Sequence, residues 1–155
     1  MEIERKFTIK ELPDLSKYPY KKITQAYLNT DPVIRIRREN DEYVLTYKGK
    51  GLLAREEYNL PLNKESFEHL LLKADGLVIS KTRYLIPYES YTIELDVFEG
   101  DLAPLIMAEV EFPSVELANA YQMPDWFLED VTNNKAYHNS NISKGGSTFD
   151  PNPPS

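Results

Sequence analysis

The sequence predicts a mainly β protein of the α+β class, in which eight antiparallel strands close into a barrel with a few helices packed outside. Three observations support this fold. Polar and apolar residues alternate with the two-residue period of strands along much of the chain. Short connections join the alternating segments, and charged residues occupy one face of strand after strand. A chain of 155 residues has the length of a single domain.

Eight segments carry the strand pattern and are rich in Val, Ile, Tyr and Thr, which favour β structure. In chain order they cover residues 2–9, 21–29, 33–39, 42–48, 54–61, 78–87, 90–98 and 105–112. Turn-forming residues at 40–41, 49–51 and 100–101 separate some of these segments. Because neighbouring segments leave no room for the long crossovers of parallel strands, the sheet should be mostly antiparallel.

Two helices are expected between the strands. Residues 64–75 place their apolar side chains on one stripe, with Asn63 as the N-cap and Gly76 as the stop signal. A shorter helix should cover 114–121, and a third short helix should start near Thr132. These helices are expected to pack on the outside of the sheet.

Composition limits the location and the partners of the protein. The chain has no cysteine, which excludes disulfides, thiolate metal sites and cysteine nucleophiles. Its 18 basic and 25 acidic residues give a net charge of −7, which does not favour a nucleic acid partner. The N-terminus is charged, and no apolar run approaches the roughly 20 residues of a membrane span. We therefore expect a cytoplasmic protein without a membrane partner. We expect it to be a monomer or a homodimer.

The domain is expected to cover residues 1–144, without an internal repeat. From residue 145 onward the chain is rich in Gly, Pro and Ser, which predicts a disordered tail over 145–155. Neither of the two histidines, His69 and His138, is expected to be catalytic.

One face of the predicted sheet collects charged residues on seven strands. On the first strand, Glu2, Glu4 and Lys6 alternate with Ile3 and Phe7. The basic members of the face are Lys6, Arg35, Arg37, Lys48, Arg55, Lys81 and Arg83. The acidic members are Glu2, Glu4, Glu57, Glu94, Asp96, Glu109 and Glu111. The alternative interpretation is a solvated outer face, but such faces also use Ser, Asn, Gln and Thr, so we place these rows inside a barrel.

The chemistry of an interior with seven basic and seven acidic groups points to a charged ligand. Burying unpaired charge is expensive, so the interior needs a polyanion and divalent cations to balance it. Arginine and lysine donors match phosphate oxygens. Clustered carboxylates without His or Cys match a hard ion such as Mg²⁺ or Mn²⁺.

An ExExK motif covers residues 2–6 at the start of the chain. It is followed in order by RxR at 35–37, KxR at 81–83, ExD at 94–96 and ExE at 109–111. ExExK alone is a weak signal, whereas this ordered set at strand spacing is specific. Over about residues 1–142 the chain resembles the triphosphate tunnel metalloenzymes, or CYTH superfamily, and most of all their short bacterial inorganic triphosphatases.

The resemblance implies an eight-stranded tunnel that hydrolyses triphosphates with a divalent metal, and it assigns roles to residues of this chain. The implied metal ligands are Glu2, Glu4 and Glu111. The implied phosphate-binding residues are Lys6, Arg35, Arg37, Lys48, Lys81 and Arg83, to which we add Arg55 from the same charged face. The implied catalytic residues are Glu57, Glu94, Asp96 and Glu109, which would hold a second metal or orient water and basic side chains, together with Lys6.

Other functions remain open within and outside this family. Its members include class IV adenylyl cyclases and thiamine triphosphatases, and Asn134 and Ala136 stand where relatives often carry an acid and a base. A tunnel that binds polyphosphate or phosphorylated metabolites without turnover is the alternative from another class. The complete set of acidic residues favours an enzyme, because a simple anion binder would gain nothing from seven carboxylates.

Overall fold

The computed structural model describes residues 1–138 and 142, and within them most of the chain forms one curved antiparallel sheet. Its strands are β1 (Glu2–Ile9), β2 (Tyr20–Thr30), β3 (Val33–Glu39), β4 (Glu42–Lys48), β5 (Ala54–Arg55), β6 (Glu57–Leu62), β7 (Ile79–Tyr88), β8 (Tyr91–Phe98), β9 (Ile106–Glu111) and β10 (Phe127–Asp130). All eight predicted strands are present. The fifth is divided at Glu56 into β5 and β6, and β10 was not predicted. The predicted tail over 145–155 lies outside the described residues.

The sheet differs from the predicted closed barrel in one detail. Its hydrogen-bonded path runs β10-β1-β9-β8-β7-β2-β3-β4-β6, and the gap between β6 and β1 is bridged only by β5, which pairs with β1 at Glu2 and Ile3. The rest of that edge of β1 is taken by β10, which pairs with it at Phe7 and Ile9. Because β10 occupies this edge, β6 cannot complete a continuous ladder around the barrel.

Within the described residues the chain also forms two α-helices and three short 3₁₀ helices, the last of which follows β10. They are α1 (Lys64–Leu71), α2 (Val115–Ala120) and the 3₁₀ helices Leu15–Lys17, Gly100–Leu102 and Lys135–Tyr137. The side chains of Asn63 and Ser114 cap α1 and α2 by accepting backbone hydrogen bonds. α1 is shorter than the predicted 64–75, and the element expected near Thr132 is the 3₁₀ helix at 135–137. No helix in residues 1–138 has the length and apolarity needed to cross a bilayer.

Apolar side chains on the outer face of the sheet bind the helices, as the strand pattern predicted. Phe7, Leu95 and Val110 pack against Ala118 of α2. On the other side of the barrel, Phe67 of α1 packs on the outer face of β2 and β3. Burial of apolar surface stabilises the fold by roughly 25 cal/mol per Å². The apolar residues of each strand therefore face the outer core, and the residues that alternate with them face inward.

A third apolar cluster fills one end of the barrel interior. Met107 lies on the inward face of β9, in step with Glu109 and Glu111. It packs with Phe98 of β8 and with Tyr137 from the C-terminal segment. We call this cluster the apolar plug. The polar part of the interior lies beyond it, toward the other end of the barrel.

Candidate active site

The inward-facing charged residues converge on one cavity of about 170 Å³. Six acidic and six basic residues of the predicted face line it, namely Glu2, Glu4, Lys6, Arg35, Arg37, Lys48, Arg55, Glu57, Arg83, Glu94, Glu109 and Glu111. Further lining residues are Tyr27, Val33, Glu39 and His138. The two-residue alternation of the strands therefore brings charged side chains from eight strands into one cavity.

Lys81 and Asp96 belong to the same inward face but do not line the cavity. Both side chains are almost fully buried, and they form an ion pair at 2.7 Å. Asp96 also accepts two hydrogen bonds from the guanidinium of Arg83, at 2.7 and 2.8 Å. Burial lowers the pKa of Lys81 to about 8, although the charge of Asp96 opposes this shift. In this arrangement the two residues lie behind Arg83, which reaches the cavity wall itself.

Three carboxylates form a cluster at one side of the cavity. Glu4 of β1 lies opposite Glu111 of β9 in the strand register, and carboxylate oxygens of Glu2, Glu4 and Glu111 lie within 4.8 Å of one another. Burial and the charge of Glu4 raise the pKa of Glu2 to about 8. Burial, with the charges of Glu4 and Glu57, also raises the pKa of Glu111. An all-oxygen donor set whose carboxylates raise each other's pKa values fits a hard divalent cation.

Two lysines are held between the acidic residues by ion pairs. Lys48 lies 2.8 Å from Glu2 and 3.6 Å from Glu57. Lys6 lies 3.4 Å from Glu109 and 3.7 Å from Glu4. Burial alone would lower the pKa of Lys6, but the charges of Glu109 and Glu4 raise it to about 12. Both ammonium groups therefore lie beside the carboxylate cluster.

Arg83 lies among several carboxylates on another part of the wall. Besides its contacts with Asp96, it lies 3.0 Å from Glu94 and 3.4 Å from Glu109. Burial raises the pKa of Glu94 to about 7, although the charge of Arg83 opposes this shift. The side chains of β7, β8 and β9 thus form one buried charge network.

Two of the remaining arginines of the cavity have no acidic partner. Among residues 1–138 and 142, Arg35 and Arg55 form no ion pair, and the Nε atom of each is buried without a hydrogen-bond partner. Arg37 donates to Gln25 at 2.8 Å and to Glu39 at 3.1 Å. Burial and the charges of Arg35 and Arg83 lower the pKa of Arg37 to about 10. This region offers unused donors to an anion.

Two charged or polar lining residues were not among the sequence-predicted site residues. Glu39 continues the alternation of Arg35 and Arg37 on β3, so its position could have been predicted. His138 follows the last 3₁₀ helix and belongs to no strand, so no periodicity signals its place. Its entry into the cavity depends on how the C-terminal segment folds back over the barrel.

Comparison with known proteins places this arrangement in a family. The model of the CYTH domain matches residues 1–145, which is nearly the whole chain. The chain belongs to the CYTH domain family. A relative named inorganic triphosphatase, from Nitrosomonas europaea, is 40% identical over 149 residues, which cover 92% of this chain and 96% of the relative. Another inorganic triphosphatase, from Acetivibrio thermocellus, is 34% identical over 92% of this chain and 93% of its own length.

A solved structure shares the arrangement of this CYTH domain. It is the crystal structure of an inorganic triphosphatase that is 37% identical, with a TM-score of 0.69, covering 92% of this chain and 94% of the solved one. The predicted family and fold class are therefore confirmed.

The metal-free CYTH domain should lose stability as the pH rises from 6.5 to 8. Folded Glu2 keeps its proton up to about pH 8 and Glu94 up to about pH 7, whereas both ionise near pH 4.5 in the unfolded chain. Unfolding therefore releases protons in this window, and the free energy of unfolding falls with pH, by on the order of 1 kcal/mol. The lowered pKa values of His138 and Lys81 make the free energy of unfolding rise with pH, but outside this window. His138 acts below pH 6.5, and Lys81 acts above about pH 8.

Urea denaturation in EDTA at several pH values measures this slope. Glu2→Gln should make the slope shallower, because Gln does not titrate. A free energy of unfolding that rises from pH 6.5 to 8 in the wild type would contradict the raised pKa values of Glu2 and Glu94.

Proposed function

We propose that this protein is an inorganic triphosphatase, which hydrolyses inorganic triphosphate to pyrophosphate and phosphate with bound Mg²⁺ or Mn²⁺. One observation carries the proposal: a cavity in which a three-carboxylate cluster adjoins arginines without acidic partners. The names of the two curated relatives and of the solved structure agree with it. The proposed sites follow the roles that the resemblance implies, except that we assign Lys81 and Asp96, which do not line the cavity, to holding Arg83 in place.

The basic side chains bind the phosphate chain. Arg35, Arg37 and Arg55 line the cavity and offer guanidinium donors that fit phosphate oxygens, and Arg35 and Arg55 have no acidic partner among the described residues. Each charge-assisted hydrogen bond contributes about 1.5–3 kcal/mol to such binding. A linear triphosphate carries charge along its whole length, so it can use donors from several strands at once.

Glu2, Glu4 and Glu111 would hold the cation. When bound, a divalent cation supplies positive charge to phosphate oxygens and stabilises the charge that develops during phosphoryl transfer. Lys6 and Lys48 flank this cluster and direct their ammonium groups at the same region.

Glu94 and Glu109 orient the attacking water as hydrogen-bond acceptors. Glu94, with a pKa raised to about 7, can exchange a proton near neutral pH, as a general base must. Arg83 holds both carboxylates in place, and buried Asp96 and Lys81 fix Arg83 from behind.

We propose that the protein acts as a monomer or a homodimer. A cytoplasmic location and the lack of a nucleic acid partner remain parts of the proposal.

Release of phosphate from triphosphate by the purified protein tests this function. We expect turnover with Mg²⁺ or Mn²⁺, none in EDTA, and recovery when the metal is restored. Binding of triphosphate without phosphate release under any metal would instead identify a non-catalytic binding tunnel.

Triphosphate should be hydrolysed faster than ATP or thiamine triphosphate, and Mn²⁺-ATP should give no cyclic AMP. The cavity wall consists almost entirely of charged side chains, which suit phosphates rather than a base or a thiazole ring. Cyclisation also needs the ribose hydroxyl placed in line with the α-phosphorus, and such positioning requires dedicated contacts. Chromatography of the products decides between the activities, and cyclic AMP formed as fast as phosphate from triphosphate would favour a cyclase.

A further inference from the structure

His138 occupies a special position between two cavities. Its side chain lines the triphosphate cavity and also a neighbouring cavity of about 520 Å³, and Val33 and Arg55 are shared in the same way. Only 8% of His138 is exposed. Its backbone is fixed on both sides, since its N–H donates to the Lys135 carbonyl and its carbonyl accepts from the amide of Ile142. The low exposure and the fixed backbone hold His138 in the wall between the two cavities.

The imidazole ring is surrounded by charges of both signs. Lys6 on β1 and Arg55 on β5 act on it as positive charges, and Glu109 on β9 acts as a negative charge. The charged residues of the neighbouring cavity are Asp31, Lys50, Arg55 and Lys135. Burial, together with the charge of Lys6, lowers the pKa of His138 to about 4, so the ring is neutral in the empty protein at neutral pH.

One ring nitrogen already has a partner. Nε2 lies 3.4 Å from the carbonyl oxygen of Thr132, which can only accept, so Nε2 is the nitrogen that carries the hydrogen in the neutral ring. Nδ1 is then the nitrogen that a proton from solvent would occupy. A protonated Nδ1 would be a charged donor on the wall of the phosphate site.

We propose that His138 is a substrate-contacting residue that takes up a proton when triphosphate enters the cavity. This inference rests on the proposed function. Burial keeps the ring neutral, with added repulsion from Lys6 and Arg55, and the negative charge of a bound polyanion offsets both effects. The protonated ring then donates to a phosphate oxygen. By linkage, protons and triphosphate strengthen each other's binding.

NMR titration of the two histidines tests this directly, because the chain contains only His69 and His138. The Cε1–H signals are followed from pH 4 to 8 in EDTA, with and without saturating triphosphate, and His138→Gln assigns them. We expect triphosphate to raise the titration midpoint of His138 by about one pH unit or more. The midpoint of His69, which lies on α1 away from the cavity, should not move.

Calorimetry gives a second readout. At pH 4.5, His138→Gln should bind triphosphate roughly threefold more weakly than the wild type, because a midpoint raised by one unit from about 4 favours the bound state by about that factor at this pH. At pH 8 the difference should shrink, and the matched control His69→Gln should bind like the wild type at both pH values.

The outcomes separate this inference from the proposed function. Saturable triphosphate binding with an unmoved His138 midpoint would overturn the role of His138 and leave the triphosphatase intact. Absence of triphosphate binding by the wild type, together with absence of phosphate release, would overturn both.

Discussion

Glu4→Gln should lower the rate of triphosphate hydrolysis by roughly a hundredfold or more, which corresponds to at least ~2.7 kcal/mol of transition-state stabilisation. Glu4 is the most buried member of the carboxylate cluster, with 5% of the residue exposed. Glutamine keeps its shape but removes the negative charge that a hard cation needs. Lys6, which lies near Glu4, keeps its second partner Glu109, so the fold should survive the change.

Steady-state phosphate release over a range of Mg²⁺ and Mn²⁺ concentrations measures the effect, and thermal melting checks the fold. Glu68→Gln is the matched control, because Glu68 lies exposed on α1 and faces only Lys64. A Glu4→Gln enzyme within a few-fold of the wild type at saturating Mg²⁺ would show that the metal ligands lie elsewhere.

Arg35→Ala should weaken triphosphate binding, whereas Arg83→Ala should lower the free energy of unfolding. Arg35 forms no ion pair with the described residues, so its removal should weaken triphosphate binding roughly 10- to 100-fold without lowering the free energy of unfolding. Its loss also relieves repulsion on Arg37. Arg83→Ala should instead destabilise the protein by about 3–5 kcal/mol, because it leaves the buried carboxylate of Asp96 without its bidentate partner.

Calorimetry with triphosphate in EDTA and urea denaturation of both variants provide the comparison. If Arg35→Ala were as unstable as Arg83→Ala and still bound triphosphate like the wild type, Arg35 would be a structural residue and the proposed phosphate site would be wrong.

Strand periodicity accounts for most of the fold that the sequence could predict. Every long strand has an apolar face that must be buried, so its pattern is visible in the sequence. β10 was missed because Phe127–Asp130 is too short to show an alternation, and it is ordered by pairing with β1. The division at Glu56 was missed because the chain changes its pairing partner there, from β1 at Arg55 to β4 at Glu57, and a change of long-range partner leaves no local pattern.

The same periodicity predicted which face of each strand lines the site but not how deep each residue lies. Lys81 lies opposite Phe98 in the register, and Asp96 lies opposite Met107. Both apolar partners belong to the cluster that plugs one end of the barrel. An alternating pattern cannot indicate where a plug begins, because that depends on the C-terminal segment and on the offset between strands.

We propose that the three-carboxylate cluster and the neighbouring arginines form one metal and triphosphate site. A crystal structure with Mn²⁺ and a non-hydrolysable imido analogue of triphosphate, with anomalous diffraction at the manganese edge, tests it most directly. We expect a manganese peak among Glu2, Glu4 and Glu111, and phosphate oxygens in contact with Arg35. Manganese bound outside this cluster, or an analogue bound outside the barrel interior, would contradict it.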